Sequence, residues 1–149
     1  MRLLLLRHGE AGFDAPSDYE RHLTRGGVLR LQAMLNTAAG ELSCVTRIVH
    51  SPYLRTVQTA DLVQQQKPAL LHSLEILTPD SSPQAVIDWL SQQKDESLLL
   101  VTHQPLIGYL VSLLCEGDLT RPEPMQPGAM VVIDLEVPAA GLGRLLRRY

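Results

Sequence analysis

Short apolar runs separated by amphipathic segments dominate the hydrophobic pattern of this chain. Residues 2–6 and 98–101 are the plainest runs, and their length is typical of strands that are buried on both faces. Runs of the same kind predict further strands at 47–50, 69–71, 130–135 and 142–148. The last two are expected to pair as a hairpin through Pro138 to Gly141.

The segments between these runs have the periodicity of helices. Thr24 is a good N-cap residue and predicts a helix that reaches about Leu42. Further helices are expected from Ser51-Pro52 to about Gln65, from Pro83 to about Gln93, and from Leu106 to Cys115. Alternation of strands and helices indicates an α/β fold. We therefore predict one domain over residues 1–149, a three-layer α/β/α sandwich with a mostly parallel sheet and an antiparallel edge.

Composition and charge exclude several classes of protein. Hydrophobic residues make up 45% and charged residues 19% of the 149 residues, which is ordinary for a soluble globular domain. A net charge of −3 lacks the basic footprint of nucleic-acid binding, and no apolar stretch reaches the roughly 18 residues of a membrane span. Cys44 and Cys115 form no metal motif and are expected in helical cores. These features predict a cytoplasmic protein that binds neither nucleic acid nor membrane.

Polar residues follow three of the predicted strands. Arg7-His8-Gly9 ends the first, Ser51-Pro52 ends the second with Arg55 one turn later, and Thr102-His103 ends another. Reacting groups in open α/β sheets lie beyond the carboxyl ends of the strands, and parallel strands bring those ends to one edge. A glycine after His8 is expected to let the backbone turn tightly and to bring an oxyanion close to the main chain.

Arg55 carries information about the ligand. It falls in the first turn of a predicted helix, where the helix dipole disfavours a cation. An anion held by the helix amides and the guanidinium would remove that conflict. Two arginines and two histidines at one edge therefore predict a site for a dianion such as phosphate. Taken alone, Arg55 is more typical of a solvated surface side chain, and His103 of a structural histidine.

Three segments resemble the motifs of the histidine phosphatase superfamily, which has the phosphoglycerate-mutase-like fold. Leu6 to Ala11 (LRHGEA) resembles its Arg-His-Gly signature, Ser51 to Ala60 its second motif, and Val101 to Pro105 its second-histidine motif. The short chain, the segment Arg21 to Thr24 and the lack of a large inserted cap resemble the small SixA-type phosphohistidine phosphatase branch. The resemblance covers nearly the whole chain.

The resemblance implies a role for each matched residue. His8 would be the nucleophile that becomes phosphorylated, Arg7, Arg55 and His103 would bind the phosphoryl oxygens, and Arg21 would border the pocket. Neutral imidazole is a competent nucleophile near pH 7, and phosphoryl transfer needs mainly in-line positioning and charge stabilisation. Two guanidinium groups and a protonated His103 supply that charge, so we predict a phosphatase with neither a metal nor a cofactor.

The leaving group separates the possible substrates. Larger relatives carry a glutamate after the second motif that protonates an alcohol leaving group; here the candidates are Glu75 and Asp80, which are also typical of solvated loop carboxylates. An imidazole leaving group can accept its proton before the P–N bond breaks and depends less on an acid. This favours a phosphohistidine protein phosphatase.

The expected partner is a transiently bound signalling or phosphotransferase protein phosphorylated on histidine. The site is expected to be open and rimmed by loops 12–22 and 116–128, because short connections leave little chain to build a lid. A small-molecule phosphomonoesterase on the same scaffold is the alternative. A non-catalytic phosphate-binding module is less favoured, since nucleophile, arginines and second histidine are all present.

Overall fold

A six-stranded sheet forms the centre of the molecule. The computed structural model describes residues 1–149, with strands β1 (Arg2–Arg7), β2 (Arg47–His50), β3 (Leu70–Ser73), β4 (Ser97–Thr102), β5 (Met130–Leu135) and β6 (Gly143–Arg148). The strands lie in the order β3-β2-β4-β1-β5-β6. Strands β1 to β4 are parallel, whereas β5 runs antiparallel to β1 and β6 antiparallel to β5. The predicted parallel sheet with an antiparallel edge is confirmed.

Five helices connect the strands: α1 (Arg25–Thr37), α2 (Ala39–Leu42), α3 (Leu54–Gln66), α4 (Pro83–Leu90) and α5 (Leu106–Glu116), with a 3₁₀ turn at Glu75–Leu77. Thr24 caps α1 as predicted, because its hydroxyl accepts a hydrogen bond from the Gly27 amide at 2.9 Å. The single helix predicted up to Leu42 is wrong, since a break at Ala38 divides it into α1 and α2. Helix α3 begins at Leu54 and not at Pro52.

The helices cover both faces of the sheet. Leu4 and Leu6 of β1 pack in one core with Leu31 of α1, whereas Leu3 and Leu5 pack in a second core with α4 and α5. All four strand leucines are completely buried, and each contributes about 1.5–3 kcal/mol by leaving water. The short apolar run therefore serves two cores at once, which produces the three layers.

The two cysteines differ from their expected core positions. Cys44 is exposed in the turn that follows α2, because the helix has already ended at Leu42. Cys115 on α5 is half-buried and packs against the core formed with α4 and α5. None of the helices is both long enough and apolar enough to cross a membrane.

The carboxyl ends of β1, β2 and β4 share one edge of the sheet. Their register pairs Arg7 with Thr102 and His50 with Val101. Backbone bonding continues one residue past β1, where the His8 amide donates to the carbonyl of Thr102 at 3.1 Å. It also continues past β2, where the Ser51 amide donates to the carbonyl of Val101 at 3.1 Å. The residues after the strands are thus held as firmly as the strands themselves.

Candidate active site

His8 is fixed in the tautomer that a nucleophile requires. Its side chain is buried, with 6% of the residue exposed, and its Nδ1 lies 2.7 Å from the Gly9 carbonyl oxygen. Because a carbonyl can only accept, Nδ1 carries the proton and Nε2 keeps its lone pair. Arg55 Nε donates to that Nε2 at 3.2 Å. The basic nitrogen therefore lies directly beside a guanidinium.

Gly9 serves packing and not the binding of an oxyanion. Its amide donates to Thr59 Oγ1 at 3.1 Å, so that donor is already used. Its φ is not in the left-handed region, and a Cβ added there would lie 3.2 Å from Leu23 Cδ2. The Gly9 amide is therefore not available to an oxyanion, and the residue is small so that α1 and the segment around Leu23 can approach the end of β1 closely.

Arg55 lies in the first turn of α3 with all three guanidinium nitrogens engaged. Besides the Nε bond to His8, its Nη1 donates to the Asp18 carbonyl at 2.7 Å and its Nη2 to Asp18 Oδ2 at 3.2 Å. The residue is 4% exposed, which rules out a solvated surface side chain. Its guanidinium therefore lies between His8 on one side and the loop 12–22 on the other.

Asp18 is a site residue that the sequence analysis missed. Its carboxylate contacts Arg55 and also accepts from Arg21 Nη1 at 3.0 Å. Partial burial opposes ionisation of Asp18, but the hydrogen bonds and charges of Arg21 and Arg55 outweigh it and lower its pKa. No spacing in the sequence relates residue 18 to residue 55, because the contact depends on the path of the loop.

Arg21 reaches the site through Asp18 and not by touching His8. Its Nε donates to the Gly12 carbonyl at 2.8 Å and its Nη2 to the Ala11 carbonyl at 3.2 Å. These bonds tie the ends of the loop together on one guanidinium. Arg21 therefore borders the site as an organiser of the loop, and direct contact with phosphate stays a prediction.

His103 follows β4 and lies beside His8, with 5.1 Å between the ring centres. The residue is 1% exposed. Its Nε2 lies 2.7 Å from Ser51 Oγ, while its buried Nδ1 has no hydrogen-bond partner in the protein. Ser51, predicted as a helix cap, instead orients this imidazole.

Arg7 also carries an unsatisfied donor. Its Nη1 donates to the Met125 carbonyl at 2.6 Å, and its buried Nε has no protein partner. An unpaired buried polar group costs about 1–3 kcal/mol. Both unpaired atoms, Arg7 Nε and His103 Nδ1, belong to the residues at this edge of the sheet.

Burial and positive charge favour the neutral form of His8. Burial lowers its pKa to about 4, and the charges of Arg55, Arg7 and Arg21 add to this while the bond to the Gly9 carbonyl opposes it. At neutral pH the ring is therefore uncharged, and its Nε2 lone pair accepts the hydrogen bond from Arg55 Nε. The three arginines thus add to the effect of burial in keeping the His8 ring neutral.

His103 is neutral for the same reasons. Burial lowers its pKa well below the ordinary value, and the neighbouring His8 and Arg55 lower it further. The protein groups alone therefore do not produce the protonated His103 expected from the sequence. A phosphoryl dianion beside the ring would favour protonation, because opposite charge stabilises the imidazolium form.

Glu75 and Asp80 are not brought into contact with the site. Both side chains are exposed, and neither carboxylate forms a hydrogen bond or ion pair with His8, His103 or Arg55. The 3₁₀ turn that contains Glu75 is attached to the end of β4, where the Thr102 hydroxyl donates to the Leu77 carbonyl at 2.6 Å. A role as general acid stays a prediction for both.

Two tyrosines, also missed from the sequence, extend the site outward. The Tyr53 ring meets the His103 ring edge-on, with 4.9 Å between their centres, and the Tyr19 ring lies 5.0 Å from Tyr53. Tyr53 precedes α3, whereas Tyr19 belongs to the loop 12–22. An aromatic path therefore leads from the buried imidazole to the surface.

The site contains no cluster of metal ligands. The cavities of the molecule, about 200–320 Å³ each, are lined by residues other than His8, His103, Arg7 and Arg55. The one behind Gly9, about 240 Å³, is lined also by α1 and by residues 127–129. No three His, Cys, Asp or Glu side chains are grouped to hold a metal ion.

Curated relatives match most of the chain, although no family model matches it. It is 36% identical over 123 residues to the phosphohistidine phosphatase SixA of Escherichia coli strain K12, covering 79% of this chain and 76% of that protein. It is also 36% identical over 128 residues to the phosphohistidine phosphatase SixA homolog of Haemophilus influenzae, covering 76% and 77%.

Solved structures show the same likeness over nearly the full length. The protein histidine phosphatase SixA complexed with tungstate superimposes with a TM-score of 0.88 at 31% identity, covering 99% of this chain and 96% of that one. The phosphoglycerate mutase of Plasmodium falciparum shares the fold at 18% identity and a TM-score of 0.71, covering 98% and 88%. On the strength of the identity and coverage, the chain belongs to the SixA-type branch of the histidine phosphatase superfamily.

Proposed function

We propose that this protein is a phosphohistidine phosphatase that hydrolyses the P–N bond of a phosphorylated histidine in a partner protein, through a phosphoryl group carried on His8. The observation that carries the proposal is the buried His8 Nε2, which keeps its lone pair because Nδ1 donates to the Gly9 carbonyl. The names of the curated relatives support the substrate class. The tungstate in the related SixA structure supports an oxyanion site.

In the first step the lone pair of His8 Nε2 attacks phosphorus, and the P–N bond to the substrate imidazole breaks. The bonding pair returns to the substrate ring, which leaves as neutral imidazole when its other nitrogen is protonated. Arg7 and Arg55 stabilise the charge on the equatorial oxygens, as phosphoryl transfer requires. The Gly9 carbonyl accepts from Nδ1–H and stabilises the positive charge that His8 acquires.

In the second step water attacks phosphorus and the P–Nε2 bond breaks. Inorganic phosphate leaves with the protons of the water, and His8 returns to its neutral tautomer. Neither step needs a metal ion, because two guanidinium groups supply positive charge and the bound phosphoryl dianion favours protonation of His103. The acid that an alcohol leaving group would require is not needed for imidazole, which agrees with the exposed positions of Glu75 and Asp80.

The expected partner is a cytoplasmic signalling or phosphotransferase protein that presents phosphohistidine on a folded surface. A histidine-phosphotransfer domain or a phosphotransferase-system component has the required chemistry. Short connections leave little chain to build a lid, so we expect a transient complex with a small interface.

The test is hydrolysis of a panel of phosphohistidine proteins beside a panel of sugar phosphates, with release of labelled phosphate as the measurement. We expect turnover of at least one phosphohistidine protein, and acid-labile phosphate on His8 when the reaction is quenched early. Faster turnover of sugar phosphates would establish the phosphomonoesterase alternative. Absence of label on His8, together with failure to bind vanadate, would indicate a non-catalytic phosphate-binding module.

A further inference from the structure

The loop that borders the site carries the most exposed large hydrophobic side chain of the molecule. Phe13 is 84% exposed and is the chain's single phenylalanine. Tyr19, in the same loop, is 49% exposed. We call residues 12–22 the rim loop. Exposed aromatic groups beside a reactive site are typical of surfaces that contact another macromolecule.

Phe13 is held in place although it packs into no core. The Arg21 guanidinium lies 4.1 Å from the centre of its ring, an arrangement that attracts cation and aromatic face. Arg21 is itself fixed by the carbonyls of Gly12 and Ala11 and by Asp18. An aromatic ring fixed in advance loses little conformational entropy when a partner covers it.

The rim loop is also tied to the catalytic groups. Its Asp18 binds the guanidinium of Arg55, which donates to His8. Its Tyr19 accepts a backbone bond from the Leu54 amide at 3.0 Å, at the start of α3. Phe13 therefore has a fixed position relative to the nucleophile, as a docking residue must if it is to align a phosphoryl group.

The charge of the rim loop is opposite to that of the site it borders. Asp14 and Glu20 are exposed and form no ion pair, whereas the basic residue of the loop, Arg21, is engaged by Asp18. The uncompensated charge of the loop is therefore negative. A negative border attracts a basic protein surface and repels small free anions.

We propose that the rim loop is the docking surface for the substrate protein, and that the partner presents its phosphohistidine beside basic and apolar side chains. Phe13 contacts the apolar part of that surface, while Asp14 and Glu20 face its lysines or arginines. The proposal rests on the phosphohistidine phosphatase function and adds the chemistry by which the partner is chosen.

Charge is tested with two synthetic phosphohistidine peptides that differ only in lysines or glutamates around the phosphorylated histidine. We expect kcat/KM to be about fivefold or more higher for the lysine peptide, an effect that falls as salt rises. The double variant Asp14→Lys/Glu20→Lys should lose this preference. Glu136→Lys changes an exposed carboxylate just after β5, at the opposite edge of the sheet, and should keep it.

The apolar contact is tested with the phosphohistidine protein that is turned over fastest in the panel above. Phe13→Ala should lower kcat/KM for that protein by about tenfold, the loss typical of an aromatic anchor at an interface. Turnover of free phosphohistidine should change by less than about twofold, because that substrate lacks the protein surface that Phe13 is proposed to contact. Leu142→Ala removes another exposed apolar side chain at the opposite edge and should match the wild type.

These experiments separate the docking surface from the proposed function. If the wild-type protein hydrolyses neither free phosphohistidine nor any phosphohistidine protein, the function itself is wrong. If it hydrolyses them but shows no preference for the lysine peptide, or if Phe13→Ala and Leu142→Ala behave alike, the docking surface is wrong and the function stands.

Discussion

The four central residues of the site, which we call its floor, differ from the rim loop in both burial and charge. The floor, formed by Arg7, His8, Arg55 and His103, is buried except for the half-buried Arg7, is rich in positive charge and is fixed by strand ends and α3. The rim loop is exposed, aromatic and acidic. Chemistry needs desolvated, fixed donors, whereas selection of a partner needs accessible surface. The difference predicts that substitutions in the floor change the rate for every substrate, and that substitutions in the rim loop change the choice of substrate.

The strongest test of the floor is removal of the nucleophile. His8→Ala should lower turnover of every substrate by about a thousandfold or more, because no other group can carry the phosphoryl group. Circular dichroism should show the fold retained, and His8→Asn provides a second variant of more similar volume. Activity that survives in both folded variants would mean that another residue is the nucleophile.

Removal of Arg55 tests the link between floor and rim loop. Arg55→Ala should lower kcat/KM by about a hundredfold, since it removes a charge on the phosphoryl oxygens and frees Asp18. Arg55→Lys keeps the positive charge but lacks the planar set of guanidinium donors, and should recover only part of the loss. A change confined to the melting temperature, with kinetics intact, would show that Arg55 is structural.

Acid should destabilise the fold because His8 takes up a proton more readily in the unfolded chain. The pKa of His8 is about 4 when folded and near 6.5 when unfolded, so between these values only the unfolded chain takes up the proton. The free energy of unfolding should therefore decrease as the pH falls from 6.5 towards 4, by about 2 kcal/mol from this residue between pH 7 and pH 5.

Urea unfolding at pH 7 and pH 5 measures this effect. His8→Asn should lose less stability than the wild type over this range, whereas His72→Asn, which changes an exposed histidine on β3, should lose as much as the wild type. Equal losses in the wild type and His8→Asn would show that His8 takes up its proton equally in both states.

The smallest effect is expected outside both regions. Glu75→Gln and Asp80→Asn should change turnover of a phosphohistidine protein by less than about twofold, because an imidazole leaving group brings its own proton. A thousandfold loss in either variant would identify the general acid and would favour substrates with alcohol leaving groups. Measuring the same variants with a sugar phosphate shows whether the acid matters there.

The strands and the floor could be predicted from sequence for a common physical reason. Buried strands leave unbroken apolar runs, and parallel topology brings the residues after them to one edge. Thus His8 and His103 could be predicted to lie close together, and they do. Arg55 was predicted to belong to the site because a cation in the first turn of a helix conflicts with the helix dipole. Its burial beside His8 agrees with that prediction.

What could not be predicted depends on how loops cross the surface. Asp18 and Tyr19 contact α3 only because the rim loop folds back across it, and no periodicity records that path. Ser51 has the sequence of a helix cap, yet its hydroxyl meets His103 because α3 starts three residues later. Tertiary contacts therefore decided the roles of these residues.

The short bridge between Ala11 and Leu23 separates the rim loop, whose residues can vary, from β1 and α1, which must keep their places. It closes the rim loop at its base, with the Gly12 amide donating to the His22 carbonyl at 2.9 Å. Residues inside this closure can be exchanged while β1 before it and α1 after it keep their places, provided that Asp18 still meets Arg55. Duplicated genes could therefore acquire new partners by changing one loop, and inherit the catalytic apparatus without alteration.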